Sequence, residues 1–128
     1  MKPDCPFCTR IASAETVAEN EHAVAFPDGF PVSDGHTLVV PRRHVASLWD
    51  LPPNELSDIW ILADEVRAEL AHSHSPDGFN VGVNDGAAAG QTIDHAHLHI
   101  IPRYAGDVPD PRGGIRLVLP ERARYWTE

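Results

Sequence analysis

Gly90-Gln91-Thr92-Ile93-Asp94-His95-Ala96-His97-Leu98-His99-Ile100-Ile101-Pro102-Arg103 is the stretch on which the fold turns. Apolar and imidazole side chains alternate through its second half, and a strand sends successive side chains to opposite faces. Ala96, Leu98 and Ile100 can therefore fill a core, while His95, His97 and His99 line the other face. Ahead of it, residues 85–90 read as a small-residue loop and residues 79–83 as a strand. Two strands joined by so short a loop are antiparallel neighbours.

Upstream, residues 23–26 and 37–40 read as short strands, punctuated by Pro27-Asp28-Gly29 and Asp34-Gly35. Residues 53–72 form the one long helix. Leu56, Ile59, Trp60, Ala63, Val66 and Leu70 recur there at helical spacing as one apolar stripe. Pro53 suits its first turn, with Glu55 close behind, and Ser75-Pro76-Asp77-Gly78 breaks the chain after it. Residues 7–14 fit a short helix. The pattern is an α+β domain, one domain over residues 1–128 with its core in 5–104 and a C-terminal tail, 105–128, to which no element is assigned.

The chain of 128 residues is long enough to bury roughly two-thirds of its unfolded surface. Ten basic against 19 acidic residues give a formal charge of −9. No basic face is visible, which argues against a nucleic-acid polymer as partner. A small anion remains compatible if local donors focus on it, with Arg42, Arg43 and Arg103 as candidates. Two cysteines are too few for a disulfide-built secreted domain. Met1-Lys2-Pro3-Asp4-Cys5-Pro6 has no apolar run behind Lys2, and no apolar stretch approaches the ~20 residues of a membrane helix. A cytoplasmic protein without membrane association is expected.

Imidazole ligates, donates or attacks near neutral pH. Zinc binds imidazole nitrogen at about 2.0–2.1 Å. Neighbours two apart on a strand are ~6.7 Å apart at the backbone, and His95 and His99 ~13 Å, so a straight strand does not easily bring all three onto one ion. A neutral imidazole can instead attack phosphorus without a base to remove a proton first. A second imidazole on that face can donate to the phosphate oxygens. Backbone N–H groups of the loop 85–90 can approach a phosphate.

With these residues stated, His95-Ala96-His97-Leu98-His99-Ile100-Ile101 resembles the histidine-triad (HIT) family pattern His-φ-His-φ-His-φ-φ, φ being apolar. The resemblance extends through Phe26-Pro27-Asp28, Gly35-His36-Thr37-Leu38-Val39-Val40-Pro41 and Asn84-Asp85-Gly86, over roughly residues 5–104. It implies a five-stranded antiparallel sheet with one long and one short helix, and a homodimer joined through the long helix and a sheet edge. It also implies nucleotidyl hydrolysis or transfer at the α-phosphate of a small-molecule nucleotide. By position, His97 would be the nucleophile, His99 would donate to phosphate oxygens, and the His95 carbonyl would hold the His97 ring. Thr92 would lie near the leaving group and Asp28 at the ribose hydroxyls. Asn84, Gln91, Thr92 and His99 would surround the phosphates. From the residues alone, Asp28 could equally be a turn residue, and Asn84 and Thr92 loop caps.

Gly90-Gln91-Thr92 and Pro102-Arg103-Tyr104-Ala105-Gly106-Asp107 are similar to the dinucleoside polyphosphate hydrolase (fragile histidine triad) branch, whose substrates can carry Mg²⁺. Pro41-Arg42-Arg43-His44 is similar to the nucleoside phosphoramidase branch. Several bacterial-type members hold a structural zinc at positions equivalent to Cys5, Cys8, His44 and His95. The alternative there is two reduced thiols and a surface histidine. Two rival functions stand beside the hydrolase: a zinc hydrolase using two triad histidines and an outside ligand, and a nucleotide-binding module with vestigial turnover. His22, His36, His72 and His74 are expected to be structural or solvent-facing. Trp49 and Trp60 are expected in core or dimer packing, and Trp126 could reach a partner subunit's pocket.

Overall fold

The computed structural model describes residues 2–127. A short helix α1 (Pro6–Ala12) precedes three strands, β1 (Ala18–Glu19), β2 (Ala23–Pro27) and β3 (Thr37–Pro41). The long helix α2 (Pro53–His74) follows, then β4 (Gly78–Val83), β5 (Leu98–Arg103) and a final short helix α3 (Pro120–Ala123). The strands form one antiparallel sheet in the order β1-β2-β3-β5-β4. β4 and β5 are the antiparallel neighbours their short connection requires.

Strand alternation divides the core between the two faces. Ala23, Ala25, Val39, Leu98 and Ile100 pack beneath α2 with Ile59, Leu62, Ala63, Val66 and Leu70. Val24, Phe26, Leu38 and Val40 face the other way and pack with Cys5, Phe7 and Cys8 of the α1 segment. The triad belongs to this second face: Leu98 pairs with Val39 and Val83 in register, and His99 with Leu38 and Gly82.

Several sequence expectations are corrected. The histidine strand begins only at Leu98, so His95 and His97 lie in the segment leading into it. Alternation survives because the Ala96 N–H donates to the Val45 carbonyl, which keeps the segment beside the chain leaving β3. α1 stops at Ala12, two residues early, because Ala14 turns to φ 57°. α2 runs on to His74 and ends at left-handed Ser75. Its buried stripe takes in Glu55 and Leu62, whereas Trp60 is half exposed. Glu55 tolerates burial because Arg43 holds its carboxylate through two donors, at 3.0 and 2.6 Å. Trp49 is exposed as well, so neither tryptophan is in this chain's core. In the tail, a 3-10 turn (Gly114–Val118) lies against β4, where Ile115 reaches Gly82. No helix among the described residues is long and apolar enough to cross a membrane.

Candidate active site

Three elements build the site: the approach to β5, the turn between β2 and β3, and α1. His97 lies at the centre. Its Nδ1–H donates to the His95 carbonyl at 2.9 Å. A carbonyl can only accept, so Nδ1 carries the proton and Nε2 keeps the lone pair. Among the described residues Nε2 has no hydrogen-bond partner, and it is not one of the sealed buried polar atoms. The ring is more enclosed than an open row of imidazoles implies, at 7 % exposure. The Phe7 ring meets it edge-on at 5.0 Å, and His99 packs on it at 5.1 Å.

His99 ends a chain of hydrogen bonds that sequence reasoning missed. The Val32 N–H donates to His36 Nδ1 at 3.1 Å, so neutral His36 carries its proton on Nε2. That proton points at His99 Nδ1, 2.9 Å away, with Asp28 Oδ2 at 3.3 Å. His99 Nδ1 therefore accepts, and its Nε2–H becomes the free end of the relay. That Nε2 is buried without a partner. A buried donor without an acceptor costs about 1–3 kcal/mol, and a site that binds an anion can use one. Burial, repulsion from His97 and then from His36 push His99 down to about 4, with Asp28 opposing. Burial pushes His36 down too. Both rings are neutral at pH 7, as the relay needs. His36, expected to be structural or solvent-facing, is buried and at the site. The available signal was its place in Gly35-His36-Thr37-Leu38-Val39-Val40-Pro41.

His95 departs from the expected row. It is fully buried, and its ring turns away toward the α1 segment. Its Nε2–H donates to the Pro41 carbonyl at 2.8 Å, which leaves the Nδ1 lone pair to face His44 and both cysteines. Cys5 Sγ lies 3.5 Å from it, Cys8 Sγ 3.6 Å and His44 Nδ1 3.2 Å, with Cys8 Sγ 3.3 Å from His44 Nδ1. Tetrahedral zinc bonds of about 2.3 Å to sulfur and about 2.05 Å to nitrogen require edges of about 3.6 Å (S to N) and about 3.3 Å (N to N). The four groups therefore have the spacing, the donor types and the second-shell hydrogen bond of a closed tetrahedral site. Asp28, His36 and His99 also cluster, but His36 Nδ1 accepts a backbone N–H, so its Nε2 is protonated and cannot ligate.

The remaining predicted residues divide. Asp28 sits beside His36, with Oδ1 accepting from the Phe30 N–H. Asn84 lies at the end of β4. The Gln91 amide is engaged in its own loop, donating to the Ala46 and Ile93 carbonyls and accepting from the Gly86 N–H. Gly86 and Gly90, at φ 95° and 97°, allow the loop to turn there. Thr92 is exposed and lines a hollow of ≈350 Å³ with His44, Asp94 and Pro6. Beyond His99 along the strand lies a larger hollow of ≈740 Å³, lined by residues including Val32, Asn80, Ile101 and Ile115. The three arginines nominated as anion donors are engaged elsewhere: Arg42 with Glu19, Arg43 with Glu55 and Arg103 with Asp107. The exposed tail aromatic Tyr125 meets Trp126 edge-on at 5.2 Å, and the Trp126 ring packs within its own tail against Gly113.

Comparison with known proteins bears on this geometry. The HIT domain profile matches residues 10–106. An uncharacterised HIT-like protein of Mycoplasma genitalium is 43 % identical over 103 residues, 78 % of this chain and 73 % of its own length. An asymmetrical bis(5'-nucleosyl)-tetraphosphatase of Schizosaccharomyces pombe is 41 % identical over 85 residues, 66 % of this chain and 47 % of its own. The crystal structure of a zinc-bound histidine triad family protein from Mycobacterium smegmatis superposes with a TM-score of 0.74 at 32 % identity, covering 90 % of each chain.

Proposed function

This chain belongs to the HIT family, and on that premise we propose that it is a nucleotidyl hydrolase or transferase working through a nucleotidyl-histidine intermediate. The observation that carries the reading is the His97 ring, with Nδ1–H held by the His95 carbonyl and Nε2 bare. The Nε2 lone pair attacks the α-phosphorus, and the bond to the leaving group breaks with its electron pair. His99 Nε2–H donates to a non-bridging oxygen as charge builds there. On the family resemblance Thr92 would serve the leaving group, Asp28 the ribose, and Asn84 and Gln91 the phosphates, the Gln91 amide acting through the loop it braces. Water then attacks the phosphorus from the vacated side and gives its proton to bulk solvent, the P–Nε2 bond breaks with its electron pair on Nε2, and His97 leaves as neutral imidazole with its Nδ1 proton kept.

The favoured substrate class is a dinucleoside polyphosphate. The tetraphosphatase relative supports it, as do Gly90-Gln91-Thr92 and Pro102-Arg103. A nucleoside phosphoramidate is the second reading, favoured by Pro41-Arg42-Arg43-His44. Cys5, Cys8, His44 and His95 would hold zinc, which would supply a structural cross-link between α1 and the approach to β5. Four protein ligands leave no open position for substrate, which counts against a zinc hydrolase. The unpaired edge of β4 and the exposed Trp60 on α2 support a homodimer. The charge of −9 speaks for a small-molecule substrate rather than a nucleic-acid polymer.

Turnover of diadenosine tetraphosphate and of adenosine phosphoramidate in ¹⁸O-water tests both levels. Faster polyphosphate cleavage with ¹⁸O in the mononucleotide product is expected. Label in the polyphosphate product would refute attack at the α-phosphorus. A strong preference for the phosphoramidate would move the chain to the second branch.

A further inference from the structure

We propose that the Cys5, Cys8, His44 and His95 cluster is a positioning device for His97, acting through the His95 carbonyl and the Phe7 ring. The inference rests on the reading of His97 as nucleophile and of the cluster as a zinc site. Two of the groups that orient His97 are anchored in the cluster. One is the His95 carbonyl, which takes the Nδ1 proton at 2.9 Å, on a residue whose own ring faces the cysteines and His44. The other is Phe7, which stands on α1 between the two cysteines. Its ring meets His97 at 5.0 Å and His95 at 5.8 Å, backed by Phe26 at 5.5 Å. α1 has only seven residues, and its N-cap is itself Cys5, whose sulfur faces the Cys8 N–H. So short a helix has little stability of its own, and the cluster fastens its first turn, beside the packing of Phe7 on Phe26 and the hydrogen bond from Arg10 to the Pro27 carbonyl.

The consequence is mechanical. Nε2 faces phosphorus only while Nδ1–H stays on the His95 carbonyl. Releasing the His95 ring frees that carbonyl to shift, and releasing α1 removes the ring that limits the tilt of His97. Displacement of a reacting group by about 1 Å can cost about 10²-fold in rate. His44 isolates the effect. It bonds to Cys8 and His95, and has no hydrogen bond or ring contact with His97 or Phe7.

The test uses the full chain, ¹⁵N-labelled at histidine and loaded with zinc, without substrate. Long-range nitrogen–proton correlation reads the His97 tautomer, and metal analysis reads occupancy. Wild type is expected to hold one zinc and a single Nδ1–H tautomer. In His44→Ala, zinc is lost, the His97 tautomer becomes mixed, and kcat falls roughly tenfold to a hundredfold with KM nearly constant. His44→Cys keeps four ligands and is expected to restore the tautomer and kcat. Phe7→Leu keeps the zinc, loosens the ring and lowers kcat about threefold to tenfold. A folded, zinc-free His44→Ala with the wild-type tautomer and kcat overturns the proposal. Should that variant not fold, wild-type tautomer and kcat in Phe7→Leu overturn it. Nucleotidylation at a residue other than His97 would defeat the functional reading while leaving the tautomer result intact, so the two failures are distinguishable.

Discussion

His95 and His99 flank the same central histidine, and their surroundings are opposite. Around His95 both ring nitrogens are engaged: one donates to Pro41, the other faces His44 and two thiols. Around His99 one nitrogen accepts from His36, and the other is a buried donor with no acceptor. Hydrogen-bond satisfaction thus separates a scaffold from a reacting group inside one motif. Where every polar atom is satisfied, the residue holds the structure. Where a buried donor is left over beside the ring that would react, as His99 Nε2 is beside His97, it is available to an anion.

The largest effect should come from breaking the satisfied end. Cys8→Ala, which removes one of the four groups proposed to hold zinc, is expected to abolish zinc binding and to cost roughly 4 kcal/mol by leaving buried polar groups unpaired. Thermal unfolding should show a drop of about 10 °C or more. An unchanged melting temperature with zinc demonstrably gone would make the two ends alike.

The next effect belongs to the unsatisfied end. His99→Ala should leave stability nearly unaltered and lower kcat by about 10²–10³-fold, the usual cost of losing one preorganised donor. Steady-state kinetics decide it, and a loss of stability with normal turnover would reverse the assignment.

The same end should make the protein acid-sensitive. His99 titrates at about 4 in the fold against an ordinary 6.5. Above pH 6.5 it is neutral folded or unfolded and contributes nothing to the balance. As pH falls below 6.5, only the unfolded chain takes up the proton, so stability declines until about pH 4, where the fold protonates too. The loss is at most about 3 kcal/mol, and buried His36 acts in the same direction. Urea unfolding at pH 7 and pH 4.5 measures it, and His99→Gln should flatten the slope.

The smallest effect is that of His36→Ala, expected to lower kcat about tenfold through loss of the His99 tautomer. Turnover equal to wild type would remove His36 from the relay.

How much of this was legible in the sequence follows from distance along the chain. Alternation of His95, His97 and His99 with Ala96, Leu98 and Ile100 is local, and it put the triad on the correct face. The cluster of Cys5, Cys8, His44 and His95 could be named from residue type and family resemblance together. The His36–His99 contact spans 63 residues, and nothing in the periodicity of either segment announces it. Trp60, half exposed, lies at the margin of the α2 stripe, because spacing alone does not fix where the edge of a helical stripe lies. The burial of Glu55 depends on Arg43, a partner from another element.

Trapping the covalent intermediate tests the central claim most directly. Protein mixed with α-³²P-labelled dinucleoside polyphosphate and quenched in denaturant at alkaline pH should carry a stoichiometric, acid-labile label on His97. His97→Ala should carry none and should not turn over. Label or turnover at the wild-type level in His97→Ala would contradict the account.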